Sequence, residues 1–134
     1  MSKYIGAVTF VVRDYDEAIA YFRDKLFFEL REDTPLEPGK RWVLVAPQGG
    51  GQNALLLAKA ATESQVAAVG KQTGGRVAFF LHTDSFYRDY ERMSSAGVNF
   101  LEKPRHESYG IVAVFEDLYG NKWDLVEKKD EDVR

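Results

Sequence analysis

The sequence of 134 residues contains no cysteine and only two histidines, His82 and His106. Without cysteine there are no disulfides, no thiolate metal ligands and no cysteine nucleophile. No apolar run reaches the roughly 20 residues that a membrane-spanning helix needs. The N-terminal segment also lacks the apolar stretch and small-residue cleavage site of a signal peptide. We therefore expect a cytoplasmic protein with no membrane partner.

An excess of positive charge is also missing. Lys and Arg total 18 against 21 Asp and Glu, which gives a net charge of −3 at neutral pH. Because proteins that bind nucleic acids usually carry a basic face, this balance predicts no nucleic-acid partner. The 45% of hydrophobic and 29% of charged residues are typical of a globular protein, and the length is that of a single domain.

The first half of the chain combines strand patterns with one amphipathic helix. Asp14 followed by Glu17 is a helix start signal, because a short acidic side chain can accept hydrogen bonds from the free amides of a first turn. An apolar stripe at helical spacing comes after it. Alternation and turn residues predict the remaining segments, which are a strand over 4–12, a loop over 34–39, and strands over 41–46 and 53–58.

The same order of segments returns in the second half. We predict a strand over 76–83, a helix capped by Asp84 or Ser85, and a hairpin of strands over 111–115 and 121–127. A shift of 71 residues places Asp14 on Ser85, and a shift of 69 places Gly51 on Gly120. The simplest explanation is an internal duplication. The prediction is one domain over 1–134, with module one at about 3–59, a connecting segment at 60–75, module two at about 76–128 and a polar tail at 129–134.

Three segments, 11–22, 94–98 and 117–125, carry a family resemblance. The last reads DLYGNKWDL and is similar to the D-P-x-G-N-x-x-E-L turn and strand of the vicinal oxygen chelate superfamily, which includes glyoxalase I, bleomycin-resistance proteins and extradiol dioxygenases. Leu118 stands where that family has Pro, and Phe27 where it has Gly. The resemblance implies an α+β fold of two βαβββ modules whose curled sheets form a cleft.

The resemblance also implies where a metal would bind. Family members hold it with one residue from the first strand and one from the last strand of each module. The matching positions in this sequence are Ala7, Leu55, Ala78 and Asp124, and only the last has a side chain that donates electrons to a metal. We therefore expect neither the usual metal site nor any other cofactor.

Strand alternation decides which side chains face the cleft. If Asp124 faces it, Lys122 does too, and on the repeated first strands Thr9, Phe80 and His82 face it. Asp124 is a candidate general base if its apolar neighbours raise its pKa, or else a pocket wall paired with Lys122. His82 is a candidate acid–base residue, or else a hydrogen-bonded residue at a strand end. An iron site of two histidines and one carboxylate would require His106 as well as His82.

Aromatic side chains complete the predicted site. Trp42 and Tyr109 can stack on a flat molecule, although aromatics in half-buried strands more often belong to the core. The candidate catalytic residues are thus Asp124 and His82. The candidate ligand-binding residues are Thr9, Trp42, Phe80, Tyr109 and Lys122.

Three functions remain open. The favoured one is a metal-free protein that binds a small apolar or aromatic molecule in its cleft, as drug-sequestering relatives do. The second is an enzyme, either a metal-dependent lyase, isomerase or dioxygenase with a relocated site, or a metal-free catalyst that uses Asp124 and His82. The third is a regulatory module with a vestigial cleft. The resemblance further implies a homodimer, since family members commonly pair modules across a two-fold axis.

Overall fold

The computed structural model describes residues 2–129, which form nine strands and three helices. In chain order these are β1 (Ala7–Val12), α1 (Tyr15–Asp24), β2 (Phe28–Glu37), β3 (Lys40–Pro47), β4 (Ala54–Lys59), α2 (Glu63–Ala68), β5 (Val77–His82), α3 (Phe86–Ser95), β6 (Asn99–Phe100), β7 (Arg105–Glu107), β8 (Gly110–Glu116) and β9 (Lys122–Lys128). The chain divides into two compact units, Met1–Gln72 (unit 1) and Thr73–Arg134 (unit 2). Of the predicted tail at 129–134, only Lys129 lies within the described residues.

Unit 1 is a four-stranded sheet in the order β1-β4-β3-β2, with helix α1 packed on one face. Strand β1 is parallel to β4, and the other neighbours are antiparallel. Phe10 and Val12 on β1 are fully buried, and the ring of Phe10 meets that of Phe22 on α1 edge to face at 5.2 Å. The alternation of β1 therefore sends its large apolar side chains under the helix.

Unit 2 repeats this topology. Its sheet has the order β5-β9-β8-β6, again with the first and last strands parallel, and β7 also pairs with β8. The short strands β6 and β7 together take the place that the continuous strand β2 holds in unit 1. Two βαβββ modules with the same strand order confirm the predicted α+β fold and its duplication.

The two long helices begin where predicted but are capped differently. Asp14 accepts a hydrogen bond from the Glu17 amide at 2.9 Å, as expected for an N-cap. Ser85 occupies the same position in α3, but its side chain makes no capping bond. The acceptor for the Phe86 amide is instead Glu127 on the neighbouring strand β9, at 2.7 Å. Ser85 is therefore the N-cap residue by position, as predicted, but the side chain that accepts from the first turn of α3 is that of Glu127.

The loop predicted over 34–39 is mostly strand. Residues 34–37 pair with β3, and only Pro38 and Gly39 lie between the two strands. Strand β2 lies at the edge of its sheet, where Pro35 is tolerated because an edge strand has backbone groups that need no ladder partner. One register shift precedes this stretch, between Leu30 and Glu32, and a second lies within it, between Pro35 and Glu37; such irregularities accommodate a bent edge strand.

Phe27 is one of the departures from the family pattern, and its backbone conformation shows how the fold accommodates it. It stands just after α1, where the resemblance places Gly, and its φ is +60°. That left-handed conformation costs a residue with a side chain about 1 kcal/mol, so the fold keeps the backbone turn that a glycine would make without strain. The chain direction after α1 is therefore unchanged.

None of the helices in residues 2–129 is long and apolar enough to cross a membrane.

Candidate functional site

The sheet of unit 2 has one face covered by helix α3. An aromatic row runs across this face, with ring centroids 4.6 Å apart for Phe79 and Trp123, 5.6 Å for Trp123 and Phe115, and 5.4 Å for Phe115 and Phe100. Tyr90 of the helix continues the row, 4.5 Å from Phe100. Because these rings interlock across four strands, they fix the strands that carry the side chains of the opposite face.

The opposite face, called here the open face of unit 2, carries the predicted site residues. In the strand ladder Phe80 is paired with Asp124, and Asp124 with Val114. Paired residues of a ladder point to the same side, so these three side chains form one row. Phe80 is 59% exposed. An exposed benzyl group beside a carboxylate is the distinctive feature of this face.

His82 and Lys122 lie on the same face as Asp124. His82 follows Phe80 by two residues and is paired with Val126, while Lys122 precedes Asp124 by two residues on β9. Both side chains are exposed. The structure thus brings together four of the seven predicted site residues, Phe80, His82, Lys122 and Asp124.

His106 lies on the other side of the sheet. It is paired with Ile111 on β8, and its Nε2 is 2.8 Å from the hydroxyl of Tyr87 on α3. A site of two histidines and one carboxylate would need His106 on the face of Asp124. The structure therefore contradicts that arrangement.

Asp124 is half-buried, and its Oδ1 is fully buried without a hydrogen-bond partner among the described residues. Burial raises the pKa of this carboxyl, the positive charge of Arg105 lowers it, and the negative charge of Glu102 raises it, with a net increase. The sequence suggested Lys122, His82 or a ligand as the partner of this charge. The charges that act on Asp124 come instead from β7 and the segment before it.

Glu102 lies between β6 and β7, and Arg105 is the first residue of β7. One oxygen of Glu102 accepts from the Val114 amide at 2.9 Å, and the other accepts from Arg105 Nε at 3.0 Å. Arg105 also forms an ion pair with Glu107. Sequence reasoning missed these residues because they become neighbours of Asp124 only when β7 pairs with β8, and a three-residue strand leaves no periodicity to detect.

The remaining candidates are placed separately. Tyr109 lies between β7 and β8 and is 51% exposed. Thr9 and Trp42 belong to unit 1, on the face of its sheet away from α1, since their strand neighbours Phe10 and Val43 are fully buried. Thr9 is exposed and Trp42 is 38% exposed. Their part in a common site with the open face of unit 2 stays a prediction.

A groove of about 700 Å³ lies beside the β2–β3 hairpin of unit 1. Arg41, one of the charged residues that line it, is already paired, 2.7 Å from Asp33 and 3.0 Å from Asp16. The hydrogen bond from Arg41 holds the pKa of Asp33 below its usual value. Because none of the predicted site residues lines this groove, it is not the candidate site.

Comparison with known proteins identifies the family. A sequence model of the Glyoxalase/Bleomycin resistance protein/Dioxygenase superfamily matches residues 4–125. The chain belongs to this superfamily. An uncharacterized protein of Shewanella frigidimarina is 50% identical over 131 residues, 97% of each chain.

Two solved structures extend this result to the fold. The crystal structure of UcmS2 matches with a TM-score of 0.82 and 30% identity, over 94% of this chain and 98% of the other. TnmS3, an antibiotic binding protein from Streptomyces sp. CB03234, matches with a TM-score of 0.76 and 24% identity, over 96% and 98% of the two chains. At that lower identity the likeness concerns the fold alone.

The superfamily metal positions do not fit a metal in this chain. The ladder pairs Thr9 with Leu56 in unit 1 and Phe80 with Asp124 in unit 2. With β1 and β5 aligned by 71 residues, the counterpart of Asp124 is therefore Leu56. The Leu55 inferred from the sequence was one residue too early and lies on the helix side. With Ala7 and Ala78 at the first-strand positions, three of the four positions offer no donor atom to a metal.

Other donors do not compensate for those positions. Within residues 2–129, no group of three or more His, Asp and Glu side chains converges to hold a metal ion. The chemistry available on the open face of unit 2 is instead that of a carboxylate with a raised pKa, an exposed phenyl ring and a nearby imidazole.

Proposed function

We propose that this member of the superfamily is a small-molecule binding protein that holds a flat, partly apolar molecule on the open face of unit 2. The observation that carries the proposal is the exposed ring of Phe80 beside Asp124, one of whose oxygens has no hydrogen-bond partner within residues 2–129. Exposed aromatic surface next to a few polar groups is the usual composition of a ligand site. TnmS3, which has this fold, is an antibiotic binding protein, and its ligand class supports the proposal.

Burial of Phe80 supplies much of the expected affinity. A ligand ring that covers about 100 Å² of this side chain contributes about 2.5 kcal/mol from the hydrophobic effect. Stacking adds about 0.5–1.5 kcal/mol when the rings are offset. Truncation of Phe80 should therefore weaken binding by about two to three orders of magnitude.

A thermal-shift screen of flat aromatic compounds and small thiol conjugates tests the proposal, because a ligand of the native state raises the melting temperature. Hits are then titrated against the native protein and Phe80→Ala. Tyr87→Ala is the matched control, since Tyr87 is an exposed aromatic of the same unit on helix α3. We expect Phe80→Ala to lose affinity and Tyr87→Ala to retain it. Equal affinities of both variants and the native protein would refute this location of the site.

A metal-free catalyst that uses Asp124 and His82 is the second candidate. It is favoured by the raised pKa of Asp124, which burial causes, and by the position of His82 on the same face. A carboxylate of raised pKa is a better general base near neutral pH. Mass spectrometry of each binding compound after incubation with the protein distinguishes binding from catalysis, because only a catalyst converts the compound to a product. Conversion that Asp124→Asn abolishes while affinity remains would establish catalysis.

The homodimeric assembly and the cytoplasmic location expected from the sequence remain parts of this proposal. A cleft built from both modules also remains a prediction, with Thr9 and Trp42 as its contribution from unit 1.

A further inference from the structure

The charges around Asp124 do not balance. Arg105 is the cation that acts on this carboxyl, but its guanidinium already forms ion pairs with Glu102 and Glu107. Two carboxylates therefore share that one positive charge before Asp124 is counted. The ionised Asp124 adds a further negative charge, with one buried oxygen that accepts no hydrogen bond among the described residues.

Other titratable groups that face this carboxyl do not remove the imbalance. Lys122 lies two residues along the same strand, about 7 Å from Asp124 at the backbone, and its cross-strand partner on β8 is Glu116. His82 lies in the next row of the ladder, beside Val126. Both side chains are exposed, so water screens their charges more than it screens the charge of a buried oxygen.

We propose that the occupant of this face is a planar aromatic molecule with a protonated amine, whose N–H groups donate to Asp124 while its ring lies against Phe80. This inference rests on the proposed function and adds the charge of the ligand. A buried acceptor without a donor destabilises the free protein. Oδ1 itself is out of a ligand's reach, but a cation at the accessible side of this carboxylate offsets the negative charge that the protein leaves unbalanced, and a neutral molecule of the same shape does not.

The ladder supports this combination of groups. Phe80 and Asp124 are directly paired, and side chains paired in this way project from points about 5 Å apart. A ring with an amine on a one-carbon arm, or directly on its edge, spans that distance. The ligand class is therefore a flat aromatic amine rather than a long-chain amine.

The test uses two series of compounds that share a shape and differ in charge. One series is 9-aminoacridine, acridine and acridine-9-carboxylate, and the other is 1-naphthylmethylamine, 1-naphthylmethanol and 1-naphthoate. Binding to the full-length protein is measured by calorimetry at pH 7.5 in low and in high salt. We expect each cation to bind about ten- to a hundredfold more tightly than its neutral partner, the range for a charge-assisted hydrogen bond, and the anion to bind most weakly.

Variants separate a local effect from the overall negative charge of the protein. Asp124→Asn removes one charge at the site, and Glu91→Gln removes one charge from an exposed position on α3. We expect Asp124→Asn to abolish the preference for the cation and Glu91→Gln to keep it. Circular dichroism and the binding of the neutral compound verify that Asp124→Asn is folded.

Each other result overturns a definite part of the argument. If the neutral and cationic compounds bind equally, the charge inference is wrong and the proposed function stands. If Glu91→Gln reduces the preference as much as Asp124→Asn does, the effect comes from net charge and the inference is also wrong. If no compound of either series binds, the proposed site on unit 2 is wrong as well.

Discussion

Removal of the Asp117 carboxylate should destabilise unit 2 more than any surface substitution. Asp117 is buried in the turn between β8 and β9. It accepts hydrogen bonds from Trp123 Nε1 at 2.8 Å, from the Asn121 amide at 3.1 Å and from the Tyr119 amide at 2.9 Å. Trp123 and Asn121 are themselves buried, so water cannot replace the lost acceptor for their two donors.

The expected cost follows from those two donors. A buried donor left without a partner costs about 1–3 kcal/mol, so Asp117→Ala should lower the free energy of unfolding by about 4 kcal/mol. Asp117→Asn keeps one acceptor oxygen but replaces the other with an NH₂ group that faces hydrogen-bond donors. It should therefore lower the free energy of unfolding by about 2 kcal/mol. Because a typical domain is stable by only about 5–15 kcal/mol, both losses are large enough to measure.

Guanidinium unfolding followed by tryptophan fluorescence measures these losses. The chain has two tryptophans, so a Trp42→Phe background leaves Trp123, the residue bonded to Asp117, as the reporter. Asp24→Ala is the control, because Asp24 is exposed and pairs with the exposed Arg23, and it should change stability by less than about 0.5 kcal/mol. A loss below about 1 kcal/mol for Asp117→Ala, with an unchanged denaturant slope, would refute the reasoning.

The same residue predicts a dependence on pH. Burial raises the pKa of Asp117 although Trp123 and Asn121 donate hydrogen bonds to it. A carboxyl whose folded pKa is above its unfolded value contributes stability fully below the unfolded pKa, and the contribution falls as pH rises through the folded pKa. Asp117→Asn does not titrate. The stability difference between the native protein and Asp117→Asn should therefore shrink as the pH rises from about 4, and a constant difference would contradict the raised pKa.

Three further predictions concern metal, assembly and the edge of β1. Elemental analysis of dialysed protein should find far less than one divalent ion per chain, since a single carboxylate such as Asp124 binds such ions weakly; one equivalent that survives a chelator would revive the metal-dependent enzyme. Light scattering at micromolar concentration should give twice the mass of one chain, and a monomer mass would contradict the predicted homodimer. The Gln72 side chain accepts from the Val11 amide at 2.9 Å and donates to the Thr9 carbonyl at 2.6 Å. Gln72→Leu should therefore lower the free energy of unfolding by about 1–2 kcal/mol and speed hydrogen exchange of the Val11 amide. Unchanged exchange at Val11 would argue against that role.

Much of the fold could be predicted because local signals and the global architecture agree. The cap at Asp14 and the alternation around Phe10 each specify one element, and the structure contains both. The internal repeat then linked those elements into two modules of equal topology. The pattern failed at β2, where Pro35 predicts a loop locally but is accommodated by an edge strand.

The candidate site could be predicted only in part. Strand alternation placed Phe80, His82, Lys122 and Asp124 on one face, because side-chain direction has a strict period of two. It could not supply Arg105 and Glu102, which come near Asp124 only because β7, too short to leave a periodic pattern, pairs with β8. The sequence shift gave Leu55 as the counterpart of Asp124, whereas the strand pairing gives Leu56. The two β-hairpins differ in length by one residue, and a constant shift along the sequence cannot show where that residue is inserted.

The side chain of Gln72 also has a consequence for synthesis on the ribosome. It occupies backbone hydrogen-bonding groups of β1 that lie 61 and 63 residues earlier in the chain. At a synthesis rate of about 5–20 residues per second, β1 leaves the ribosome roughly 3–13 s before Gln72 does. Strand β4, the neighbour of β1 in the sheet, is also completed late. The nascent chain therefore passes through an interval of seconds in which a Val- and Phe-rich strand has open edges, and in which a chaperone that binds extended apolar segments would find its substrate.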